Sequence, residues 1–172
     1  MPGAPGRAPA ADKYVPVSGV LGADYPGLRP EVLVAPGDPV QLGDALFRDR
    51  HRPDILITAP QGGTVTQVRL GARRRLSVIE IEAGTAPPRQ FEPRAGDRAA
   101  VTDLLLASGL WAALISRPFG RIPDLGGVPD AIFVTAHDTA PLAADMATAL
   151  AGSEDHLRRG PGPAAAFGWS GS

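Results

Sequence analysis

The first half of the chain alternates apolar and polar residues with a period of two, which is the pattern of half-buried strands. Within 76–83, for example, Ile79 and Ile81 fall on one face while Glu80 and Glu82 fall on the other. The pattern predicts strands at 31–35, 55–57, 64–68 and 76–83, an edge strand at 14–17, and two short strands whose apolar positions are Val40, Leu42, Leu46 and Phe47. Gly-Asp pairs at 37–38 and 43–44 and a Gly-Gly pair at 62–63 supply the turns.

A polar hairpin tip is predicted between the strands that end near Phe47 and begin near Ile55. Six of the seven residues in 48–54 are charged or titratable, and the seventh, Pro53, cannot donate to a strand ladder. Charged residues are almost never fully buried unless they are paired. The whole tip is therefore expected to lie outside the core.

The order strand, polar tip, strand, Ala-Pro-x-Gly-Gly turn and strand resembles the barrel-sandwich hybrid of biotinyl and lipoyl domains. A carrier of that kind holds its cofactor on a lysine at the hairpin tip. The only lysine here is Lys13, and the tip offers Arg50 and Arg52, whose guanidinium groups are poor acylation nucleophiles. The resemblance therefore implies the architecture, and the missing lysine argues against the carrier function.

The hydrophobic period changes to a helical one after residue 101. Leu104, Leu105, Trp111, Leu114 and Ile115 fit helical spacing, and Ser108-Gly109 is a weak point at which the stretch can split into two short helices. The apolar run 131–136 predicts a buried parallel strand, and a helix capped by Asp138 would follow it to about residue 151. Helix, strand and helix open an α/β domain, but one strand cannot complete a sheet.

The fold class predicted is thus α+β, an all-β barrel-sandwich hybrid followed by the start of an α/β domain. The predicted divisions are a disordered start at 1–13, the barrel at 14–84, a linker at 85–100, an incomplete α/β (Rossmann-like) domain at 101–151 and a disordered tail at 152–172. We expect the barrel to be ordered and the second unit, which lacks a covering sheet, to be frayed.

Composition narrows the classes of function. The net charge is −1, so the polycationic surface that nucleic acid requires is missing. Without cysteine, the chain holds neither disulfides nor cysteine-ligated metal centres. The longest apolar stretch, 104–115, is well short of the roughly 20 residues that span a bilayer. These features predict a soluble or peripheral protein that carries no redox centre of its own.

A set of motifs in fixed order carries a more specific resemblance. The motifs are L-G-x-D-Y-x-G-L-R-P at 21–30, A-L-F at 45–47, T-A-P-x-G-G-T-V at 58–65, R-x-G-A-x-R at 69–74, S-G-L-W-x-A-L at 108–114, R-P-F at 117–119 and A-I-F-V-T-A-x-D-T-x-P-L-A-A at 131–144. Together they are similar to the A subunits of sodium-translocating NADH:quinone oxidoreductases. The last three motifs are typical of that family rather than of lipoyl-like barrels in general.

The resemblance implies a peripheral subunit on the cytoplasmic face of the bacterial inner membrane, in a complex that moves electrons from NADH to ubiquinone and sodium outward. It implies membrane subunits as partners, NADH and flavin bound by partner subunits, ubiquinone as the substrate of the complex, and no covalent cofactor or catalytic residue in this chain. The quinone-binding candidates that it implies are Leu21, Gly22, Tyr25, Gly27, Leu28, Arg29, Arg117, Pro118 and Phe119.

Two departures from the family pattern qualify this expectation. The opening strand of the family is not found in the first 20 residues, and family members are more than twice as long. We therefore expect a subunit or truncated fragment that is not catalytic alone. A stand-alone, non-catalytic barrel-sandwich binding module is the alternative.

Other candidate sites have weaker support. His137 follows the predicted strand at 131–136, but no second metal ligand is near, and Asp138 is better explained as a helix cap. Arg73, Arg74 and Arg75 could meet anionic lipid, although a solvated turn accounts for them more simply. No Gly-x-Gly-x-x-Gly motif follows the predicted strand, so a Rossmann-type NAD site is not supported.

Overall fold

The computed structural model describes residues 13–72, 75–92 and 97–133. Four predictions concern residues that lie wholly or almost wholly outside these ranges. They are the disordered start, the helix from Asp138, the disordered tail and the candidate site at His137. Contacts group 14–127 into one compact unit, and 1–13 with 128–172 into another. Of the second unit only 13 and 128–133 are described, and they form neither helix nor strand.

The described residues contain two antiparallel sheets. The strands are β1 (Val17–Leu21), β2 (Pro30–Val32), β3 (Pro39–Val40), β4 (Ala45–Asp49), β5 (Leu56–Thr58), β6 (Gly63–Leu70) and β7 (Leu76–Ala83). One sheet has the order β1-β7-β6-β3 and the other the order β2-β4-β5. Strand β1 lies at an edge, as predicted for this part of the chain, although it begins at Val17 where Tyr14 was expected.

The core lies between these sheets and is built by the predicted alternation. Ile79 and Ile81 on β7 are fully buried, and the cross-strand pair of Val65 with Ile81 joins β6 to β7 inside the core. On β4, a register shift between Ala45 and Phe47 allows the consecutive residues Leu46 and Phe47 both to be fully buried. The barrel-sandwich architecture predicted for the first part of the chain is confirmed.

The two Gly-Asp turns are built in the same way. Gly37 and Gly43 have φ values of 98° and 94°, a region that glycine enters without steric cost. In each turn, the carboxylate of the aspartate after the glycine accepts a hydrogen bond from the backbone N–H three residues earlier. Asp38 accepts from Ala35 at 2.7 Å, and Asp44 accepts from Gln41 at 2.8 Å. The first of these turns ends the extended region early, so the strand predicted over 31–35 is confined to Pro30–Val32.

The expectation that the whole hairpin tip stays outside the core is wrong at one position. Asp49 is only 2% exposed. Strand β4 runs as far as Asp49, and alternation from the buried Phe47 directs the side chain of residue 49 to the same face. A buried carboxylate needs partners, and Asp49 has three of them, described below.

A helical segment, residues 97–127, follows the barrel. Helix α1 (Arg98–Ala107) begins three residues before the predicted start at 101, because Asp97 caps it by accepting from the N–H of Ala100 at 2.8 Å. The predicted break at Ser108-Gly109 is confirmed. Gly109 has φ 76°, and a short 3-10 helix (Leu110–Ala113) follows.

The predicted linker at 85–100 and the predicted strand at 131–136 each lie only partly within the described residues. Arg89, within the predicted linker, donates its backbone N–H to the carbonyl of Leu42, and its Nη1 lies 3.6 Å from Oδ1 of Asp44. The linker is therefore bound to the barrel at Arg89. Residues 131–133 form no strand, and Phe133 is 89% exposed. A strand requires a paired neighbour, and in the described part of the chain none pairs with these residues. Residues 134–136 lie outside the described ranges.

None of the helices within the described ranges combines the length and apolar character that crossing a bilayer requires.

Candidate functional site

A small cleft brings together two segments that are far apart in sequence. Its volume is about 160 Å³. It is lined by Asp24, Tyr25 and Pro26 from the connection between β1 and β2, and by Ala112, Ile115, Gly120 and Ile122 from the helical segment. We call these two sets of residues the first wall and the second wall. A larger, more open depression of about 480 Å³ lies between the hairpin tip and α1, and it contains none of the predicted site residues.

The first wall is formed where β1 ends and the chain turns tightly. Leu21 closes β1, and a short 3-10 helix (Gly22–Asp24) follows. A side chain at Gly22 would collide with the carbonyl oxygen of Leu76, so only glycine fits there. Gly27 adopts φ 85°, and the N–H of Leu28 donates to the carbonyl of Tyr25 at 3.2 Å. These turns place Tyr25 at the cleft.

Tyr25 is the aromatic group of the first wall. Its ring is half-buried and meets Phe47 edge to face, with 5.7 Å between the ring centroids and 80° between the planes. Burial raises the pKa of the Tyr25 hydroxyl, and the nearby charge of Asp24 raises it further. Tyr25 therefore stays neutral near pH 7 and keeps its O–H as a hydrogen-bond donor.

The second wall is shaped by a buried tryptophan and a tight turn. Trp111 is 3% exposed, and its indole N–H donates to the carbonyl of Pro123 at 3.0 Å. Ser116 and Arg121 pair through a backbone bond of 2.8 Å from the N–H of Ser116. The turn between them carries Phe119, which is 79% exposed. The second wall is thus one short, internally bonded stretch of chain.

Asp49 contacts the chain next to the first wall. Its Oδ1 accepts from the backbone N–H groups of Arg29 and His51, each at 3.2 Å, and its Oδ2 accepts from Nε of Arg52 at 2.9 Å. Burial alone would raise the pKa of Asp49. The hydrogen bonds from Arg52, His51 and Arg29 outweigh burial, so the pKa lies below its ordinary value and the carboxylate stays charged near neutral pH.

Arg52 extends this network to the second wall. Its Nη1 donates to the carbonyl oxygen of Ile122 at 3.2 Å and to the carboxylate of Asp124 at 3.1 Å. Ile122 lines the cleft. One arginine of the hairpin tip therefore joins Asp49 to the second wall. Sequence reasoning missed both residues, although alternation from Phe47 could have indicated that Asp49 points inward.

Of the predicted quinone-site residues, only Tyr25 lines this cleft. Leu21 is 44% exposed at the end of β1, and Leu28 packs against the barrel core. Arg29 is exposed and contributes its backbone N–H to Asp49. Arg117, Pro118 and Phe119 are exposed in the turn beside Gly120. The first predicted segment thus contributes one of the predicted residues to the lining and the second contributes none, although Gly120, directly after Phe119, does line the cleft. Residues outside the prediction form most of the lining.

The described residues contain no group of three or more histidine, cysteine, aspartate or glutamate side chains placed to hold a metal ion.

Comparison with known proteins gives two matches in order along the chain. Residues 1–84 match the family described as the NqrA N-terminal barrel-sandwich hybrid domain, and 96–162 match the NqrA second alpha/beta domain. The second match confirms the predicted class of the region that follows the barrel.

The relatives carry one name, that of the A subunit of the Na(+)-translocating NADH-quinone reductase. The protein from Rhodopirellula baltica is 40% identical over 80% of this chain and 32% of its own length. Those from Pseudomonas aeruginosa and Saccharophagus degradans are 38% and 44% identical, over 92% and 73% of this chain and 37% and 30% of their own lengths. The chain spans about a third of the length of these relatives. It belongs to the NqrA family, the A subunits of sodium-translocating NADH:quinone oxidoreductases.

Proposed function

We propose that the chain serves as all or part of a peripheral subunit of a sodium-translocating NADH:ubiquinone oxidoreductase, where it contributes to assembly and to quinone binding without a redox centre of its own. Family membership supports the subunit role. The observation that supports the quinone part is the cleft, because Tyr25 of the implicated segment 21–29 lines one side of it and Gly120, directly after the implicated segment 117–119, lines the other.

In this proposal the quinone ring lies in the cleft and the neutral hydroxyl of Tyr25 donates to one of its carbonyl oxygens. Pro26, Ala112 and Ile115 offer apolar contacts to the ring. The cleft is smaller than the roughly 300–1,000 Å³ typical of pockets for drug-sized ligands. It would therefore take the ring alone, while the isoprenoid tail leaves along the exposed side chains of Ile115 and Phe119.

Arg29 and Arg117 are the candidate cationic donors of this proposal, since both are exposed and each lies within three residues of a lining residue, Pro26 or Ile115. The remaining chemistry of the complex belongs to its other members in this proposal. NADH and flavin are bound by partner subunits, and membrane subunits hold the chain at the cytoplasmic face of the bacterial inner membrane.

Co-purification tests the subunit role. The chain is coexpressed with the membrane subunits of the complex, the membranes are solubilised in detergent, and the complex is isolated through a tag on a membrane subunit. We expect the chain in the isolated complex. A folded chain that never associates would instead favour a stand-alone barrel-sandwich binding module.

Titration with a short-chain ubiquinone tests the cleft. Replacing Tyr25→Phe keeps the ring against Phe47 but removes the donor, so the quinone Kd should rise about 2- to 10-fold, the effect of one lost hydrogen bond. Tyr14→Phe is the matched control, because Tyr14 is 75% exposed and does not line the cleft. Equal affinity in both variants and the parent chain would remove Tyr25 from the site.

A further inference from the structure

The hairpin tip of the barrel is bonded to both sides of the cleft. On one side, Asp49 accepts from the backbone N–H of Arg29, three residues after Pro26 of the first wall. On the other, Arg52 binds the carbonyl of Ile122 in the second wall. The pair Asp49–Arg52, joined at 2.9 Å, is therefore a bonded path that links the chain just beyond the first wall to the second wall.

The geometry of this path requires an arginine. Arg52 uses two different nitrogens, Nε toward Asp49 and Nη1 toward Ile122 and Asp124. A guanidinium group is planar and presents its donors in a fixed fork, whereas a lysine ammonium is a single point charge on a flexible stem. A lysine at this position could satisfy Asp49 or the second wall, but it would not hold both at a fixed separation.

The contacts of Arg52 differ in strength. Its bond to Asp49 involves a carboxylate that is only 2% exposed, where a charge-assisted bond is poorly screened by water. Asp124 is 88% exposed, and an ion pair with such a group contributes little. Ile122 is half-buried. The bonds to Asp49 and to the carbonyl of Ile122 therefore dominate the path.

We propose that Arg52 is a positioning residue that sets the distance between the two walls of the cleft and so controls its affinity for quinone. The role in affinity rests on the proposed function of the cleft. The role in positioning does not, because it depends only on the bonds within the chain. Arg52 itself does not line the cleft and acts through Ile122.

The full chain is compared with three variants, Arg52→Gln, Arg52→Lys and Arg48→Gln. Arg48 is the matched control: it belongs to the same hairpin and makes a salt bridge, at 2.8 Å, but to Glu31 on β2 rather than to the second wall. The first measurement is amide hydrogen exchange at Leu114, Ser116 and Gly120, whose N–H groups are bonded within the second wall and its turn. It needs no quinone.

We expect Arg52→Gln to speed exchange at these three amides about 10-fold or more, while the core amides of β6 and β7 keep their protection. Arg52→Lys should give an intermediate increase, and Arg48→Gln none. If Arg52→Gln does not fold, Arg52→Lys alone decides. Exchange in the folded Arg52 variants equal to that in the parent chain would overturn the positioning role.

The second measurement is the Kd for a short-chain ubiquinone, followed by Trp111 fluorescence in a Trp169→Phe background, where Trp111 is the only tryptophan. We expect Arg52→Gln to weaken binding about 10-fold, Arg52→Lys to restore part of it, and Arg48→Gln to leave it unchanged. If Arg52→Gln binds quinone as tightly as the parent chain, Arg52 does not control the affinity of the cleft. If the parent chain binds no quinone, both the proposed function and the role of Arg52 in affinity are overturned. The hydrogen-exchange result would still decide the positioning role.

Discussion

The barrel and the helical segment are held in place by different means. Among the described residues, all but two of the buried apolar side chains belong to the barrel, and the helical segment contributes only Val101 and Trp111. The barrel strands are joined by ladders of paired residues, the longest of them between β6 and β7. The second wall is fixed by a few named bonds, chiefly those of Trp111 with Pro123 and of Arg52 with Ile122.

This difference separates the stability of the fold from the shape of the candidate site. Apolar burial provides most of the stability of a small domain. A substitution in the barrel core should therefore destabilise the whole fold, whereas the loss of one of the few bonds of the second wall should alter the cleft and leave the strands protected. The predictions below test this separation, from the largest expected effect to the smallest.

Phe47→Ala should have the largest effect on stability. Phe47 is fully buried between the sheets, and removing a buried aromatic ring usually costs about 3–5 kcal/mol of unfolding free energy. It also removes the edge-to-face contact with Tyr25, so the first wall should loosen. Urea denaturation followed by circular dichroism measures the loss.

Leu42→Ala is the control for this substitution. Leu42 was predicted as an apolar strand position, but it is 44% exposed in the structure. Its replacement should change the free energy of unfolding by less than about 0.5 kcal/mol. A loss as large as that of Phe47→Ala would show that Leu42 is covered in solution.

Asp49→Asn should have an intermediate effect that depends on pH. The pKa of Asp49 is lower in the folded chain than in the unfolded one. The stabilisation that its carboxylate gives the fold is therefore present above the unfolded pKa of about 3.9 and is lost as the pH falls through the folded pKa. Near neutral pH we expect a loss of about 1.5–3 kcal/mol, typical of a hydrogen bond to a charged group.

Urea denaturation at a series of pH values measures how the stability contributed by Asp49 depends on pH. The parent chain should lose stability below about pH 4, and Asp49→Asn should lose less over the same range because the titrating group has been removed. Asp54→Asn serves as the control, since Asp54 is an exposed carboxylate of the same tip. An Asp49→Asn profile parallel to that of the parent would mean that Asp49 does not stabilise the fold through its charge.

Trp111→Phe should have a smaller effect that is confined to the second wall. Phenylalanine keeps much of the buried ring but cannot donate to the carbonyl of Pro123, so we expect a loss of about 1 kcal/mol. Amide exchange should increase at Leu114 and Ser116 and stay unchanged in β7. Faster exchange throughout the barrel would show that the two regions unfold as one.

The parts of this structure that follow from local pattern could be predicted from the sequence. Alternation located β6 and β7, and the Gly-Asp pairs located two turns, because strand periodicity and turn chemistry depend on neighbouring residues. The break of the helical stretch at Gly109 followed from its weak helix propensity in the same way.

The site required information that lies far apart in the chain. Arg52 and Ile122 are 70 positions apart, and nothing in the polar composition of the tip distinguishes Arg52 from its neighbour Arg50. Family resemblance pointed to the segments at 21–29 and 117–119, but it did not indicate Ala112, Ile115 and Ile122 as lining residues. Those residues reach the cleft through the packing of the helical segment on the barrel.

The smallest effect on stability, and the sharpest test of the separation, is expected for Phe119→Ala. Because Phe119 is 79% exposed, its removal should change the free energy of unfolding by less than about 0.5 kcal/mol. If its ring contacts quinone at the mouth of the cleft, the Kd for a short-chain ubiquinone should nevertheless rise about 2- to 10-fold, the usual value of one aromatic contact. Phe133→Ala is the matched control, an 89% exposed phenylalanine that does not line the cleft. Equal weakening by both substitutions would indicate nonspecific adsorption of quinone to exposed rings, and no weakening by Phe119→Ala would remove Phe119 from the candidate site.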